Sequence, residues 1–267
     1  KNPTVANVQV RGGTLKVGVN EAIPMAVNLN PVAGITSTLD LNGKIQTTSL
    51  TVAGAGGATA SVSVIDRAGG GVLKLNDNVV VNAGAATSTM VSALLDLNGG
   101  IRTFTLNDAT ETLTISGALM NSSGAAGIIK AGAGSLVIAG SYAYGGDTLV
   151  EGGTLQLNAA SLSATNALYL TNTAVLNLNF TVTNTIGVLY TNGVALAAGI
   201  YHAGNLPGWI TGAGSLQTSQ AAAPTPGNPL SPVVSAGSLT FNITNSTGSY
   251  IIQATTNIAN PAGWVGR

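Results

Sequence analysis

Residues 127–157 read GIIKAGAGSLVIAGSYAYGGDTLVEGGTLQL. Apolar side chains recur there with a period of two: Leu136 and Ile138 in GSLVIAG, then Leu155 and Leu157 in GGTLQLN. Alternation of this kind puts one side of an extended strand into a core and the other into solvent, and no helical spacing is sustained anywhere in the stretch. The runs are three to six residues long and end at Gly-Ala-Gly, Gly-Gly or Asn-Ala steps, which supply the left-handed backbone that sharp corners require. Leu113 and Ile115 upstream, and Val175, Leu176 and Leu178 downstream, continue the same pattern.

Working outward, pieces of this stretch recur. Val10-Arg11-Gly12-Gly13-Thr14-Leu15-Lys16 returns as Val150-Glu151-Gly152-Gly153-Thr154-Leu155-Gln156. Gly132-Ala133-Gly134-Ser135-Leu136 returns at Gly212 to Leu216, and Leu39-Asp40-Leu41-Asn42-Gly43 returns at Leu95 to Gly99, so different fragments recur at different intervals. A sandwich or barrel has no reason to reuse such fragments, whereas short rungs of variable length stacked along one axis do. At ~20 residues per rung and ~4.8 Å per step, residues 1–219 are expected to hold ten or eleven rungs in a rod of roughly 50 Å with two open ends. Asn42, Asn98, Asn158 and Asn166 beside the turns are read chiefly as turn formers.

Composition agrees. Of 267 residues only 7% are charged, nine basic residues balance nine acidic ones, 36 are glycine, and the 45% hydrophobic content is nearly all aliphatic, with 4% aromatic. No net field exists to attract nucleic acid or anionic lipid, so neither is expected as a partner. There is no cysteine to make a disulfide or a thiolate metal site. No apolar run reaches the ~18 residues of a spanning helix, and the few scattered aromatics cannot build the girdles of a membrane barrel, so no membrane insertion is expected.

Residues 127–157 resemble the autotransporter-associated β-strand repeat, whose pattern places Lys130, Gly132, Gly134, Leu136, Gly140, Tyr144, Gly145, Thr148, Val150, Gly153, Thr154 and Leu155 as they stand here. Lys1 to Val17 resembles the second half of another copy, and residues 186–217 resemble the unit that closes such arrays. The resemblance implies an all-β, right-handed parallel β-helix of a secreted or surface protein used as stalk, adhesin or passenger. This chain would be that part without the membrane barrel.

Beyond Gln220 the texture changes. Ala221 to Pro232 holds four of the nine prolines, and 220–237 reads as an extended linker. Residues 238–267 read as a short β-strand pair, Ser238 to Thr244 and Ser249 to Thr255 around Asn245-Ser246-Thr247-Gly248, too small to fold without docking on something.

Candidate chemistry is sparse. Asp108 with Glu111, and Asp147 with Glu151, are the acid pairs a polysaccharide-active enzyme would need, but turn-side surface acids are the commoner use of such residues. Asp66 and Arg67 read as a solvated pair. His202, the single histidine, has no second histidine or cysteine with which to hold a metal. No catalytic, cofactor or metal site is therefore assigned. Tyr142, Tyr144, Tyr190 and Tyr201 would either form a carbohydrate-stacking face or pack from rung to rung.

The expected function is structural: an extracellular or cell-surface subunit that assembles with copies of itself, head to tail, into a filament or stalk. Its proposed contacts are Val5, Val8 and Val10 on an unpaired N-terminal rung and Phe241, Ile243, Tyr250 and Ile252 on the C-terminal strands, joined by strand addition. An adhesin-like passenger that binds glycans or surfaces is the alternative, and a polysaccharide-active enzyme a distant one.

Overall fold

The computed structural model describes residues 7–52, 61–82, 88–219, 229–235 and 238–243. The chain divides into two compact units, Lys1–Ala221 and Ala222–Arg267. The first is a parallel β-solenoid. One ladder stacks Asn7–Val10, Ala26–Leu29, Leu50–Val52, Val79–Val81, Arg102–Leu106, Ile128–Ala131, the first part of Thr148–Leu157, the first part of Ala167–Leu178, and Val188–Thr191. A second stacks Gly13–Lys16, Thr36–Asp40, Ser61–Ile65, Ser88–Val91, Thr112–Ile115, Ser135–Ile138, the later parts of the same two long strands, and Ile210–Gly212. A third holds Ile45–Thr48, Val72–Leu75, Leu94–Asp96, Leu119–Met120 and Tyr142–Ala143.

Stacking in register turns the two-residue alternation into columns. Leu39, Val64, Val91, Ile115, Ile138, Leu157 and Leu178 follow one another up the second ladder, each at most 1% exposed. Beside them run Leu113, Leu136, Leu155, Leu176 and Ile210. The inward positions expected for Leu136, Ile138, Leu155, Leu157, Leu176 and Leu178 are thus those observed. Branched aliphatic side chains repeat at strand spacing with little void between them, which is why a narrow core without large aromatics suffices.

The rungs vary in length, and several exceed the expected ~20 residues. A short turn runs from Asn7 to its partner Ala26, whereas longer ones run from Thr51 to Val80 and from Arg102 to Ile128. Each main ladder accordingly stacks nine strands among the described residues, and eight steps of ~4.8 Å give roughly 38 Å in place of the expected rod of roughly 50 Å.

The repeated fragments are corner modules, and the register shows how they are reused. The Asp40-Leu41-Asn42-Gly43 turn leads from the second ladder to the third, whereas Asp96-Leu97-Asn98-Gly99 leads from the third back to the first. In both, Asn and Gly take left-handed backbone: φ is 51° and 72° in one, 53° and 78° in the other. The aspartate in each accepts the N–H of its own Asn, Asp40 at 3.0 Å and Asp96 at 2.8 Å, and an N–H one rung later, from Arg67 and Ser122 respectively. At Asp96 burial alone would raise the pKa, but the Ser122 hydroxyl and the backbone N–H groups of Asn98 and Ser122 outweigh it and hold the carboxyl below its ordinary range. The Gly-Gly-Thr-Leu fragments do share a corner, yet Leu15 stands in the column of Leu157 and Gly13 in that of Leu155. A slip of two residues keeps every inward side chain inward, so the same corner fits two registers of the ladder.

In the second unit, Pro229–Ser235 pairs antiparallel with Ser238–Ile243. The first expected strand forms, but its partner is the 229–235 segment that reads as linker in the sequence. The expected second strand, Ser249 to Thr255, lies outside the described residues. Pro229 opens its strand and Pro232 falls in the break of register between Leu230 and Val233, the two kinds of position where a missing N–H costs the ladder nothing.

Candidate functional surfaces

At the N-terminal end, Asn7–Val10 and Gly13–Lys16 each have a ladder partner on one side, and none on the other among the described residues. Val10 is buried and Val8 is half-buried against the core, while Leu15 is only half-buried although Leu157 in the same column is fully enclosed. Val5 lies outside the described residues.

The opposite end differs from the expected open edge. Val188–Thr191 turns back through Asn192 and Gly193, with φ of 49° and 76°, into the antiparallel strand Val194–Ala195. Ile200–His202 likewise runs antiparallel on Ser215–Thr218, which itself pairs with Thr183–Ile186. Phe180, Leu196, Tyr201, Leu206 and Trp209 pack over the core at this end. Reversal of strand direction and bulky side chains cover much of this end, as the resemblance of 186–217 to a closing unit implied, while Ile210–Gly212 at the end of the second ladder keeps one ladder partner among the described residues. Of the remaining assembly candidates, Phe241 and Ile243 lie on Ser238–Ile243, Ile243 opposite Pro229, and Tyr250 and Ile252 fall outside the described residues.

Asp108, Glu111 and Asp147 serve corners, whereas Glu151 is exposed on its strand. Glu111 accepts the Asp108 N–H at 3.0 Å, and Asp108 accepts the N–H and hydroxyl of Thr110, which hold its carboxyl below the usual range. Asp147 accepts the Ala167 N–H of the next rung at 2.8 Å. The Asp66–Arg67 reading needs correction: Asp66 bridges two stacked corners by accepting the N–H groups of Gly43 and Gly71, each at 2.6 Å, and Arg67 instead reaches Asp40, 3.9 Å away. Register places these partners together, which neighbours in sequence cannot reveal. His202 Nδ1 accepts the Gly204 N–H at 3.0 Å in a local turn, and no group of three or more His, Asp or Glu side chains comes together among the described residues.

Lys130 stands in the sequence only as a position of the repeat pattern, and the fold gives it a role. In the first ladder its column runs Val79, Phe104, Lys130, Val150, Leu170, so a charged side chain occupies an aliphatic position and is fully buried. Its Nζ donates to the carbonyl oxygens of Ala131 and Gly132, each at 2.8 Å, and of Gly152 at 3.1 Å, so its three donors match three carbonyls at two stacked corners. Burial pulls its pKa down to about 8, while it pushes Tyr142 up to about 12 and Tyr144 further. From about pH 8 to 10.5 the unfolded chain holds a proton that folded Lys130 has lost, so stability rises through that window. Above about pH 10 the unfolded tyrosines lose protons that the folded ones keep, so stability falls. Thermal midpoints measured from pH 7 to 12 should therefore peak near pH 10, and Lys130→Met should keep the falling limb but lose the rising one.

The four tyrosines that read as one set in the sequence separate in the fold. Tyr142 and Tyr144 are buried: Tyr142 donates to the Ala159 carbonyl, and Tyr144 shares a 2.8 Å hydrogen bond with Thr148. Tyr201 donates to the Ala197 carbonyl at 2.8 Å within the closing unit. Tyr190 faces outward, where it stacks on Tyr169, a fifth tyrosine outside that set, with centroids 4.6 Å apart and planes 13° from parallel. Ladder register makes them partners on neighbouring rungs.

Comparison with known proteins matches residues 128–157 to the family model of the passenger-associated-transport-repeat. A curated relative, the adhesin BmaC autotransporter of Brucella suis biovar 1 (strain 1330), is 32% identical over 102 residues. That stretch covers 37% of this chain and 3% of the adhesin, so the chain spans a small fraction of its relative's length. No solved structure matches.

Proposed function

We propose that this β-solenoid, similar over residues 128–157 to an autotransporter passenger repeat, is a structural, non-catalytic extracellular segment that extends a surface filament or stalk by end-to-end association with copies of itself. The observation that carries this reading is the asymmetry of the solenoid. At the C-terminal end antiparallel strands cover Val188–Thr191 and Ser215–Thr218 and leave Ile210–Gly212 with one ladder partner, whereas at the N-terminal end both Asn7–Val10 and Gly13–Lys16 have a partner on one side only among the described residues. A row of unpaired N–H and C=O groups is a template for an added strand, and Ser238–Ile243 with the chain that follows it is the donor in this reading. Donor and acceptor are different surfaces, so the contact is heterologous and propagates instead of closing into a dimer. Of the acids that an enzyme would use, Asp108, Glu111 and Asp147 are engaged in corner hydrogen bonds and Glu151 stands exposed on its strand, which supports the non-catalytic part of the proposal.

Light scattering and negative-stain imaging of the full chain, beside a chain ending at Ala221, test it. The full chain should form particles that lengthen with concentration, and the shortened one should remain a monomeric solenoid. A full chain that stays monomeric at high concentration, or a shortened chain that polymerises equally well, overturns the proposal. A second reading, an adhesin-like passenger that binds glycans, is favoured by the outward Tyr169–Tyr190 pair.

A further inference from the structure

The outward side of the first ladder carries one column unlike the rest: Thr103, Ile129, Leu149, Tyr169 and Tyr190, in register on successive rungs. Elsewhere the outward positions are mostly Thr, Ser, Asn and Gln, as on Thr112–Ile115 and the later part of Thr148–Leu157. Here apolar groups run along the surface. The tyrosines project further than the leucine and isoleucine before them, so the column steps down from Tyr169 onto Leu149 and Ile129. That step is a groove of about 330 Å³, floored by Leu149 and Ile129, flanked by Ile101 and Asp147, and ended by Tyr169. Ile101 is 63% exposed, far more than a branched aliphatic side chain needs to be beside a covered surface.

We propose that this groove binds a neutral sugar residue of a glycan, stacked on Tyr169 and hydrogen-bonded to Asp147. The proposal rests on the adhesin-like role and names its ligand class. Tyr190 covers one face of the Tyr169 ring, and the other face is turned to the groove, so the next ring-sized group in the stack comes from outside. The apolar C–H face of a pyranose fits an electron-rich aromatic face in the way a second ring does, and Leu149 and Ile129 supply further apolar contact. Hydroxyls at the sugar's rim need acceptors. Asp147 provides them on a fixed carboxylate, since its Oδ1 is already held by the Ala167 N–H and the remaining lone pairs are available for accepting. Asp147 is also the charged residue of the lining, and no Lys or Arg lines the groove. An acidic sugar would meet repulsion without compensation, so a neutral one is selected. Tyr169 also responds to that charge: burial, then Asp147, then Tyr190 raise its pKa.

Saturation-transfer NMR on the full chain with cellotetraose, chitotetraose, mannotetraose and a sialylated trisaccharide tests the inference. At least one neutral oligosaccharide should show transfer from aromatic protons, and the sialylated probe none. Tyr169→Ala should weaken that binding roughly tenfold, the loss of one ring stack. Asp147→Asn retains an acceptor for the Ala167 N–H and should weaken it by a few-fold, whereas Thr114→Ala on the second ladder should leave it unchanged. Absence of transfer from every neutral probe, or unchanged binding in Tyr169→Ala, overturns the proposal. So does a change of oligomeric state in Tyr169→Ala, which would make the column a contact between copies. Failure of end-to-end assembly leaves the sugar test unaffected, and failure of the sugar test leaves the assembly experiment unaffected.

Discussion

Replacing Gly132 by valine is expected to destabilise the solenoid by more than about 4 kcal/mol, a large fraction of a typical domain's whole stability. Three costs coincide at this position. Its φ of 78° is a left-handed conformation that a β-branched residue resists by about 1–2 kcal/mol. A Cβ there would stand 2.1 Å from the Leu106 carbonyl oxygen and 2.7 Å from its carbon, and both are backbone atoms of the adjacent rung. That rung cannot retreat, because the Gly134 N–H donates to the same Leu106 carbonyl at 3.0 Å and the Arg102–Leu106 strand is paired with Ile128–Ala131. The shift would also move the Gly132 carbonyl away from Lys130 Nζ. Gly145 is the control. It occupies a position of the repeat pattern too, yet its φ is ordinary and nothing lies within 4 Å of a Cβ added there. Gly145→Ala should change the urea midpoint by the equivalent of about 0.5 kcal/mol or less. Equal losses in the two variants, read by circular dichroism in urea, would show that motif membership and not close packing governs these glycines.

Phe104→Ala should cost about 3–5 kcal/mol, and Phe104→Leu about 1–1.5 kcal/mol. Phe104 is fully buried in the column between Val79 and Lys130, the bulkiest side chain that the narrow core encloses completely. Truncation would leave a cavity on the apolar side of Lys130, whose amine is held by carbonyls and cannot move in to fill it. Each rung of a solenoid contacts only its neighbours, so the damage should be local. Hydrogen exchange should show lost protection in Val79–Val81, Arg102–Leu106 and Ile128–Ala131 before any change in Ile210–Gly212. Thr114→Ala, an outward change on the second ladder, should stay within about 0.5 kcal/mol. A Phe104→Ala protein with undiminished protection in those three strands would refute the packing argument.

Local chemistry was legible in the sequence wherever it repeats at short range. The two-residue alternation of Leu136, Ile138, Leu155 and Leu157 dictates a strand with one buried side, and the Asn-Gly pairs at 42–43 and 98–99 dictate turns, because few residues accept left-handed backbone. The parallel solenoid follows from reuse of such fragments, since stacked rungs are the arrangement in which a corner can be copied. The stacking of one rung on another had to come from the tertiary structure. A β-column keeps its inward side chains inward under any even shift, so the pattern alone cannot say that Leu15 belongs with Leu157, or that Thr51 pairs with Val80. Everything that depends on register was hidden for that reason. The bridging of Asp66 to Gly43 and Gly71 and the enclosure of Lys130 by three carbonyls both join residues of different rungs or corners. The Tyr169–Tyr190 stack above an apolar step belongs with them, because hydrogen-bonded ladders bring side chains distant in sequence to within one strand spacing.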